Sequence, residues 1–125
     1  VGASYLADAD KKFYAAKIAV IQQREADAIQ ILEEGINEAG DQENYRALLA
    51  GLYQRAEKFD EAAVLYRRLL ISSGEKPAYW LGFALAQDAL NQVQTARQAY
   101  LRLAGYQDLQ PQVRSYVEQR LAVLQ

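Results

Sequence analysis

The stretch KFDEAAVLYRRLL at residues 58–70 places an alanine at position 62, a tyrosine at 66 and a leucine at 69. Thirty-four residues later, QVQTARQAYLRLA repeats that order with Ala96, Tyr100 and Leu103. Small and large residues at helical spacing are common, but their return at a fixed distance indicates a repeated unit. The arrangement raises the question of why each unit keeps so small a residue at the same place.

Shifting the sequence by this same interval brings three copies of one unit into register. The positions that agree are apolar, and they form three sets: Ala28, Ala62 and Ala96; Leu32, Tyr66 and Tyr100; Ala16, Ala50 and Ala84. The polar segments QREAD, EKFDE and NQVQT coincide as well. Three copies at a constant period predict an array of structural repeats.

Each unit contains two segments with apolar residues three and four positions apart, which is the pattern of an amphipathic helix. The first helices are predicted at 10–22, 43–56 and 77–90, and the second helices at 25–38, 59–72 and 93–104. The chain is therefore predicted to be one all-α domain. Its predicted parts are an N-terminal extension or the end of a preceding repeat at 1–9, repeats at 10–40, 43–74 and 77–108, and a C-terminal capping helix at 111–124.

The recurring alanines have a physical explanation in a helical hairpin. Two antiparallel helices approach most closely beside the turn that joins them, and a large side chain there would force them apart. Ala16 is therefore predicted to face Ala28, and the later alanine pairs are predicted to repeat that contact. Tyr66 and Tyr100 lie one helical turn further along, where the helices diverge and a ring can fill the gap.

The C-terminal segment is predicted to close the last repeat with an apolar face. That face consists of Val113, Val117, Leu121 and Leu124. The opposite face is predicted to lie in water, and it consists of Gln112, Arg114, Glu118, Gln119 and Arg120. Residues 1–9 lack a comparable apolar face, so the N-terminal end is expected to be uncapped. An open edge of that kind could pair with a second copy of the chain.

The composition argues against several classes of function. The chain has no cysteine and no histidine, so thiolate chemistry and the commonest general base are missing. A formal charge of −2 without a basic cluster gives no general attraction to nucleic acid or anionic lipid. Glu33-Glu34 and Asp60-Glu61 could form acid–base pairs, but adjacent helical residues point roughly 100° apart and such pairs are typical of solvated faces. We expect a non-enzymatic protein without metal or cofactor, whose partners are proteins or peptides.

The third unit has residues at the spacing of a known family, namely Trp80, Phe83, Ala84, Ala96 and Tyr100. The second unit has Leu49, Ala50, Tyr53, Ala62 and Tyr66, and the first retains Ala16, Ala28 and Leu32. In this pattern the chain resembles the tetratricopeptide repeat family, although Arg46 stands in the tryptophan position and the closing proline is missing. The resemblance implies a right-handed solenoid of three helical hairpins plus a C-terminal capping helix.

The second half of the chain has a narrower resemblance. The segments ENYRALLAGLYQR, YWLGFALAQDAL, TARQAYLRL and VRSYVEQRLAVL lie between Glu43 and Leu124. They are similar to the C-terminal repeats of MshN-type proteins of MSHA (type IV) pilus biogenesis. That resemblance implies the periplasmic region of a protein anchored in the bacterial inner membrane, with pilus assembly proteins as partners. The lack of cysteine fits the cytoplasm equally well.

Two protein-binding functions follow from these resemblances. One is an assembly scaffold that binds a partner segment in the concave groove, and the other is a chaperone-docking or general peptide-binding adaptor. First helices line the inner face in this family, which predicts a groove formed by Phe13, Lys17, Val20, Ala47, Gly51, Gln54, Leu81, Leu85 and Asp88. Adaptors of the family grip a carboxylate with lysines and asparagines, and a single cation in this set favours the scaffold. Gly51 in mid-helix is explained either by the close approach of a partner's backbone or by tight packing on a neighbouring helix.

Overall fold

The structure is a computed structural model that describes residues 7–125, and all regular secondary structure in that range is helical. Its helices are α1 Asp8–Ile21, α2 Glu25–Glu34, α3 Ile36–Ala39, α4 Glu43–Arg55, α5 Phe59–Ser72, α6 Pro77–Ala89, α7 Val93–Ala104 and α8 Pro111–Val123. The predicted all-α fold is confirmed. The predicted extension at 1–9 lies mostly outside the described residues, and its last two residues belong to α1, where Ala9 is buried.

The repeat period of the sequence is also a period of the structure. The second helices α2, α5 and α7 begin at residues 25, 59 and 93. The first helices α4 and α6 begin at residues 43 and 77, and α8 begins at residue 111, so α8 takes the position of one more first helix. The described residues therefore form a helical, repeat-like fold that is compatible with a solenoid.

Helices pack mainly on their neighbours along the chain. Three hairpins form where α1 packs on α2, α4 on α5 and α6 on α7. Successive hairpins are joined because α2 also packs on α4, and α5 on α6. The last second helix, α7, packs on α8. Both α4 and α6 thus lie between two second helices.

The alanines that the sequence repeats are fully buried. None of the six has exposed surface; they are Ala16, Ala28, Ala50, Ala62, Ala84 and Ala96. Small residues therefore occupy these interior positions, and the contact of each alanine with its partner across the hairpin stays a prediction. Tyr100 is also fully buried, as predicted. Tyr66 is only half-buried, and its ring lies against Gly82 of α6, so it packs the second hairpin on the third.

The turns within the three hairpins share one backbone geometry. Gln23, Glu57 and Asn91, which occupy equivalent positions in the three units, have positive φ angles of 62°, 59° and 60°. In each turn the next amide donates to the carbonyl five residues before it, at 2.8 to 2.9 Å. Helices commonly end in this way, with one residue in the left-handed conformation. Of these three residue types only asparagine adopts that conformation readily, so the packing of the hairpin sets the geometry.

The second helix of the first hairpin is shorter than predicted. The sequence predicts one helix at 25–38, whereas α2 ends one residue before Gly35 and α3 begins one residue after it. A Cβ at Gly35 would lie 2.5 Å from Lys12 Cδ and 2.6 Å from Tyr45 Oη, so these side chains occupy the space that a larger residue would need. The Tyr45 hydroxyl donates to the Leu32 carbonyl at 2.6 Å, which satisfies an acceptor near the helix end.

The C-terminal helix α8 buries an apolar face against the last hairpin. Val117 and Leu124 are buried, and Val113 and Leu121 are half-buried against the core, so the predicted apolar face is confirmed. Three residues of the predicted solvent face are exposed, namely Gln112, Glu118 and Gln119. The two arginines that the sequence places with them behave differently.

These two arginines turn towards the protein. The Arg114 guanidinium donates to the carbonyls of Ala104 and Tyr106 near the end of α7. Arg120 donates two hydrogen bonds, both of 2.8 Å, to the carboxylate of Asp88 at the end of α6. A long arginine side chain can lie along the protein surface and carry its charge to a distant acceptor. These two side chains are therefore only partly exposed, and their guanidinium groups are bound within the chain instead of lying free in water.

Candidate functional site

The nine predicted groove residues, which we call the first-helix surface, lie on α1, α4 and α6. Lys17 is exposed, and the other eight are half-buried. The α4 and α6 parts are adjacent, because the Gln54 amide donates to the Gly82 carbonyl at 3.0 Å. The α1 part is joined to α4 through Phe13, whose ring stacks on Tyr45 with 6.4 Å between the centroids. Partly exposed side chains on consecutive helices are suited to contact with a partner.

Gly51 is the most informative member of the first-helix surface. Apart from its chain neighbours and its own helical backbone, no atom of residues 7–125 lies within 4 Å of the position that a Cβ would take. Tight packing on a neighbouring helix therefore does not explain this glycine. Glycine in mid-helix is less favourable than alanine by about 1 kcal/mol. No contact within residues 7–125 requires a glycine at this position.

Gln54 is used in joining two hairpins. Its amide nitrogen is bonded to the Gly82 carbonyl, and its Oε1 atom is buried without a hydrogen-bond partner among residues 7–125. On the other side of Gly82 lies the Tyr66 ring, which would overlap a Cβ at that position. Gln54 and Tyr66 together hold the backbone of α6 against the second hairpin. Gln54 therefore contributes to the shape of the first-helix surface more than to its polarity.

Asp88 is also bound within the chain. Its carboxylate accepts a hydrogen bond of 2.9 Å from the Tyr100 hydroxyl in addition to the two from Arg120, and its side chain is 14% exposed. Burial pushes the pKa of Asp88 up, but the hydrogen bonds from Arg120 and Tyr100 outweigh that effect and hold its pKa below the ordinary value. This carboxylate therefore attaches α8 to the third hairpin and offers no free charge beside Leu85.

The acidic pairs considered for catalysis lie at the surface. Glu33, Glu34, Asp60 and Glu61 are all exposed or partly exposed. The Tyr53 hydroxyl donates to Glu33 at 2.6 Å, and the burial of that hydroxyl together with this bond raises the pKa of Tyr53 above its ordinary value. Glu33 thus serves to link α2 to α4. Within residues 7–125, no group of three or more acidic side chains is placed to hold a metal ion.

The second helices border a cleft that the sequence analysis did not predict. α5 and α7 both pack on α6, and a cleft of about 970 Å³ opens between them. We call it the α5/α7 cleft. Its floor includes Trp80 and Phe83 of α6, whose rings meet edge to face with 6.5 Å between the centroids. Trp80 resembles a core residue in sequence but is only half-buried, and the Arg102 guanidinium lies 5.2 Å from the centroid of its ring.

An equivalent cleft lies one repeat earlier, between α2 and α5, and its volume is about 240 Å³. A shift of one repeat relates the two linings. Leu65 of the smaller cleft corresponds to Ala99, and Tyr53 corresponds to Gln87. Glu33 of the smaller cleft corresponds to Arg67. The α5/α7 cleft is therefore emptier and more basic than its counterpart, and the responsible differences are visible in the repeat alignment once the packing is known.

Neither of two comparisons with known proteins gives a match: a scan against models of protein families finds none, and a search of curated proteins finds none. Among residues 7–125, no helix combines the length and the apolar character needed to span a bilayer.

Proposed function

We propose that this chain is a non-enzymatic protein-binding module of the tetratricopeptide repeat kind. The proposal is supported by the constant period of the helices, by the burial of the six recurring alanines, and by the half-exposed residues of successive first helices. In such a module the hairpins stack as a right-handed solenoid, and the first-helix surface lines its concave groove. The partner is a protein or peptide segment held in that groove.

The observation that carries the proposal is the open space at Gly51. A partner's backbone can approach α4 there more closely than any larger residue would permit. Ala47 lies one turn earlier on the same helix, and Leu81 and Leu85 lie on the adjacent α6, so the floor of the groove is apolar. Binding would remove this apolar surface from water, while Lys17 at one edge favours a partner with an acidic end. These properties suit an amphipathic helix or an extended apolar segment.

The cellular role that we propose is assembly of an MSHA-type type IV pilus or of related envelope machinery. Its support is the likeness of residues 43–124 to the C-terminal repeats of MshN-type proteins. In that role the module lies in the periplasm as part of a protein anchored in the inner membrane. Its partner is then another pilus assembly protein.

The substitution Gly51→Gln tests the groove without endangering the fold. The new side chain extends into open space and replaces a mid-helix glycine, so the free energy of unfolding should stay constant or rise by about 1 kcal/mol. The same side chain obstructs the approach of a partner to α4. Loss of binding from a variant at least as stable as the parent cannot be attributed to unfolding.

The binding experiment compares four immobilised proteins exposed to a bacterial envelope fraction. They are the parent, Gly51→Gln, the double variant Leu81→Asn with Leu85→Asn, and Gln94→Ala at an exposed position of the second helix α7. Circular dichroism first establishes that each is folded. We expect the partner retained by the parent to be retained by Gln94→Ala and lost from both groove variants. Retention by both groove variants would contradict binding in the concave groove.

A further inference from the structure

The α5/α7 cleft lacks two large side chains that its counterpart contains. In the counterpart, Tyr53 and Leu65 are buried and occupy the space between the helices. Of the corresponding residues Gln87 and Ala99, only Ala99 lines the α5/α7 cleft, and a volume of about 970 Å³ stays open above Trp80. Clefts of this size accommodate side chains or small ligands.

The charge at the border of the α5/α7 cleft is opposite to that of its counterpart. The counterpart is bordered by Glu33 and Glu61, whereas the α5/α7 cleft is bordered by Arg67, Arg102 and one carboxylate, that of Glu75. Arg102 is paired with Glu75. Arg67 is exposed and forms no ion pair within residues 7–125. In a chain of net charge −2, this local basic surplus favours an occupant that brings a carboxylate.

We propose that the α5/α7 cleft is a second protein-binding site, which takes a peptide segment of a partner protein. The segment inserts a bulky apolar side chain over Trp80 and places a carboxylate against Arg67. The exposed side chains of Ile71 and Leu101, at the two sides of the cleft, add apolar contact area. Because this site is formed mainly by second helices, it is separate from the first-helix surface and does not depend on the function proposed for it.

Fluorescence anisotropy with two synthetic peptides tests the chemistry of the occupant. Both are nine residues long and carry the same fluorescent label. One alternates leucine with glutamate, and the other alternates leucine with lysine. We expect the acidic peptide to bind the parent protein at least about tenfold more tightly than the basic one, because only the acidic peptide complements Arg67.

Matched variants locate the binding. Ala99→Leu restores the side chain found in the filled cleft, and Arg67→Glu reverses the charge at the border; each should weaken binding of the acidic peptide by about tenfold or more. Lys58→Glu makes the same charge change at an exposed residue outside the cleft, and it should alter the affinity by less than about twofold. Gly51→Gln obstructs the groove, so it measures any part of the peptide binding that takes place there. A loss of affinity in Ala99→Leu and Arg67→Glu that exceeds the loss in Gly51→Gln places the peptide in the α5/α7 cleft.

Several results would overturn the proposal. They are equal affinity for the two peptides, no binding of either at about 1 mM, and unchanged affinity in Arg67→Glu. Sedimentation of the parent protein without peptide tests whether a second copy of the chain occupies the cleft. A dimer that Arg67→Glu dissociates would identify a second copy of the chain as the occupant and would also overturn the proposal.

Discussion

The two ends of the helical array meet solvent in different ways. α1 and α8 both take first-helix positions in the repeat register. In α8 the position of the buried alanines at 16, 50 and 84 is taken by Glu118, which is exposed. In α1, by contrast, Tyr14 and Ile18 are each 55% exposed and Ile21 is 80% exposed. One end replaces a buried alanine by a charge, and the other end holds apolar side chains in water.

In the interior repeats, the residues that correspond to the exposed side of α1 are covered by another helix. Ile18 corresponds to Leu52 in α4 and to Ala86 in α6, which are 3% and 0% exposed. Those residues lie in helices that pack on the preceding second helix, α2 or α5. α8 thus has the surface of a terminal helix, whereas α1 has the surface of an interior one. This difference can be tested by changing residues of α8 at one end and of α1 at the other.

Removing residues 111–125 should have the largest effect, since it converts the closed end into an open one. The removed segment contains two buried apolar side chains, Val117 and Leu124. Each such side chain contributes about 1.5 to 3 kcal/mol to stability before ordering entropy is subtracted. We expect the free energy of unfolding to fall by about 3 kcal/mol and the truncated protein to associate. Urea denaturation and light scattering measure these effects. A monomer with unchanged stability would exclude α8 as the cap.

Leucine at the recurring alanine position distinguishes an interior first helix from the terminal one. Ala84→Leu should lower the free energy of unfolding by about 1 to 3 kcal/mol by overpacking, as should Ala62→Leu and Ala96→Leu in second helices. Glu118→Leu occupies the equivalent position of α8, where the side chain is exposed, and should change stability by less than about 0.5 kcal/mol. Equal tolerance at all four positions would show that the predicted helix register is wrong.

Asp88→Asn weakens the attachment of α8 to the third hairpin but keeps the helix in place. Loss of the charged hydrogen bonds to Arg120 should lower the free energy of unfolding by about 1 to 2 kcal/mol at about pH 7. The pKa of Asp88 lies below its ordinary value of 3.8 in the folded protein, so its contribution is complete above that value and is lost as the pH falls through the folded pKa. The stability difference between parent and variant should therefore shrink in acid. A difference that stays constant from about pH 6 to about pH 2 would rule out this role.

The open end should produce the smallest effect, a weak self-association of the parent at high concentration. Its cause is the exposed apolar side of α1, and Ile18→Asp should suppress the association while changing stability by less than about 0.5 kcal/mol. Val123→Asp alters an exposed residue of α8 and serves as the matched control at the other end. Light scattering across a wide concentration range measures both. A parent that remains strictly monomeric would show that the first hairpin closes its own edge.

Features that depend on the repeat could be predicted from the sequence. The burial of the six alanines and the starts of most helices follow from contacts that recur in every unit. The break at Gly35 could not be predicted in this way. The local sequence has the pattern of one continuous helix, and the side chains that fill the space beside Gly35, those of Lys12 and Tyr45, come from two other helices.

The candidate sites were predictable only in part, because periodicity places the base of a side chain and does not show what its end contacts. The positions of the first-helix surface follow from the register. The binding of Asp88 by Arg120 joins residues 32 positions apart, and Gln54 reaches Gly82 over 28 positions. The α5/α7 cleft arises from a volume that Ala99 leaves unfilled, which no property of α7 alone reveals.

The packing of each helix on its neighbours in the chain bears on how fast the protein folds. Contacts between elements close in sequence require only short loops to be closed, and chains of this kind fold quickly. A nucleus formed by α6 and α7 can grow towards both ends, one helix at a time. Unfolding should proceed in the reverse order and begin at the uncovered α1. Hydrogen exchange of the backbone amides should consequently be fastest in α1 and slowest in α6.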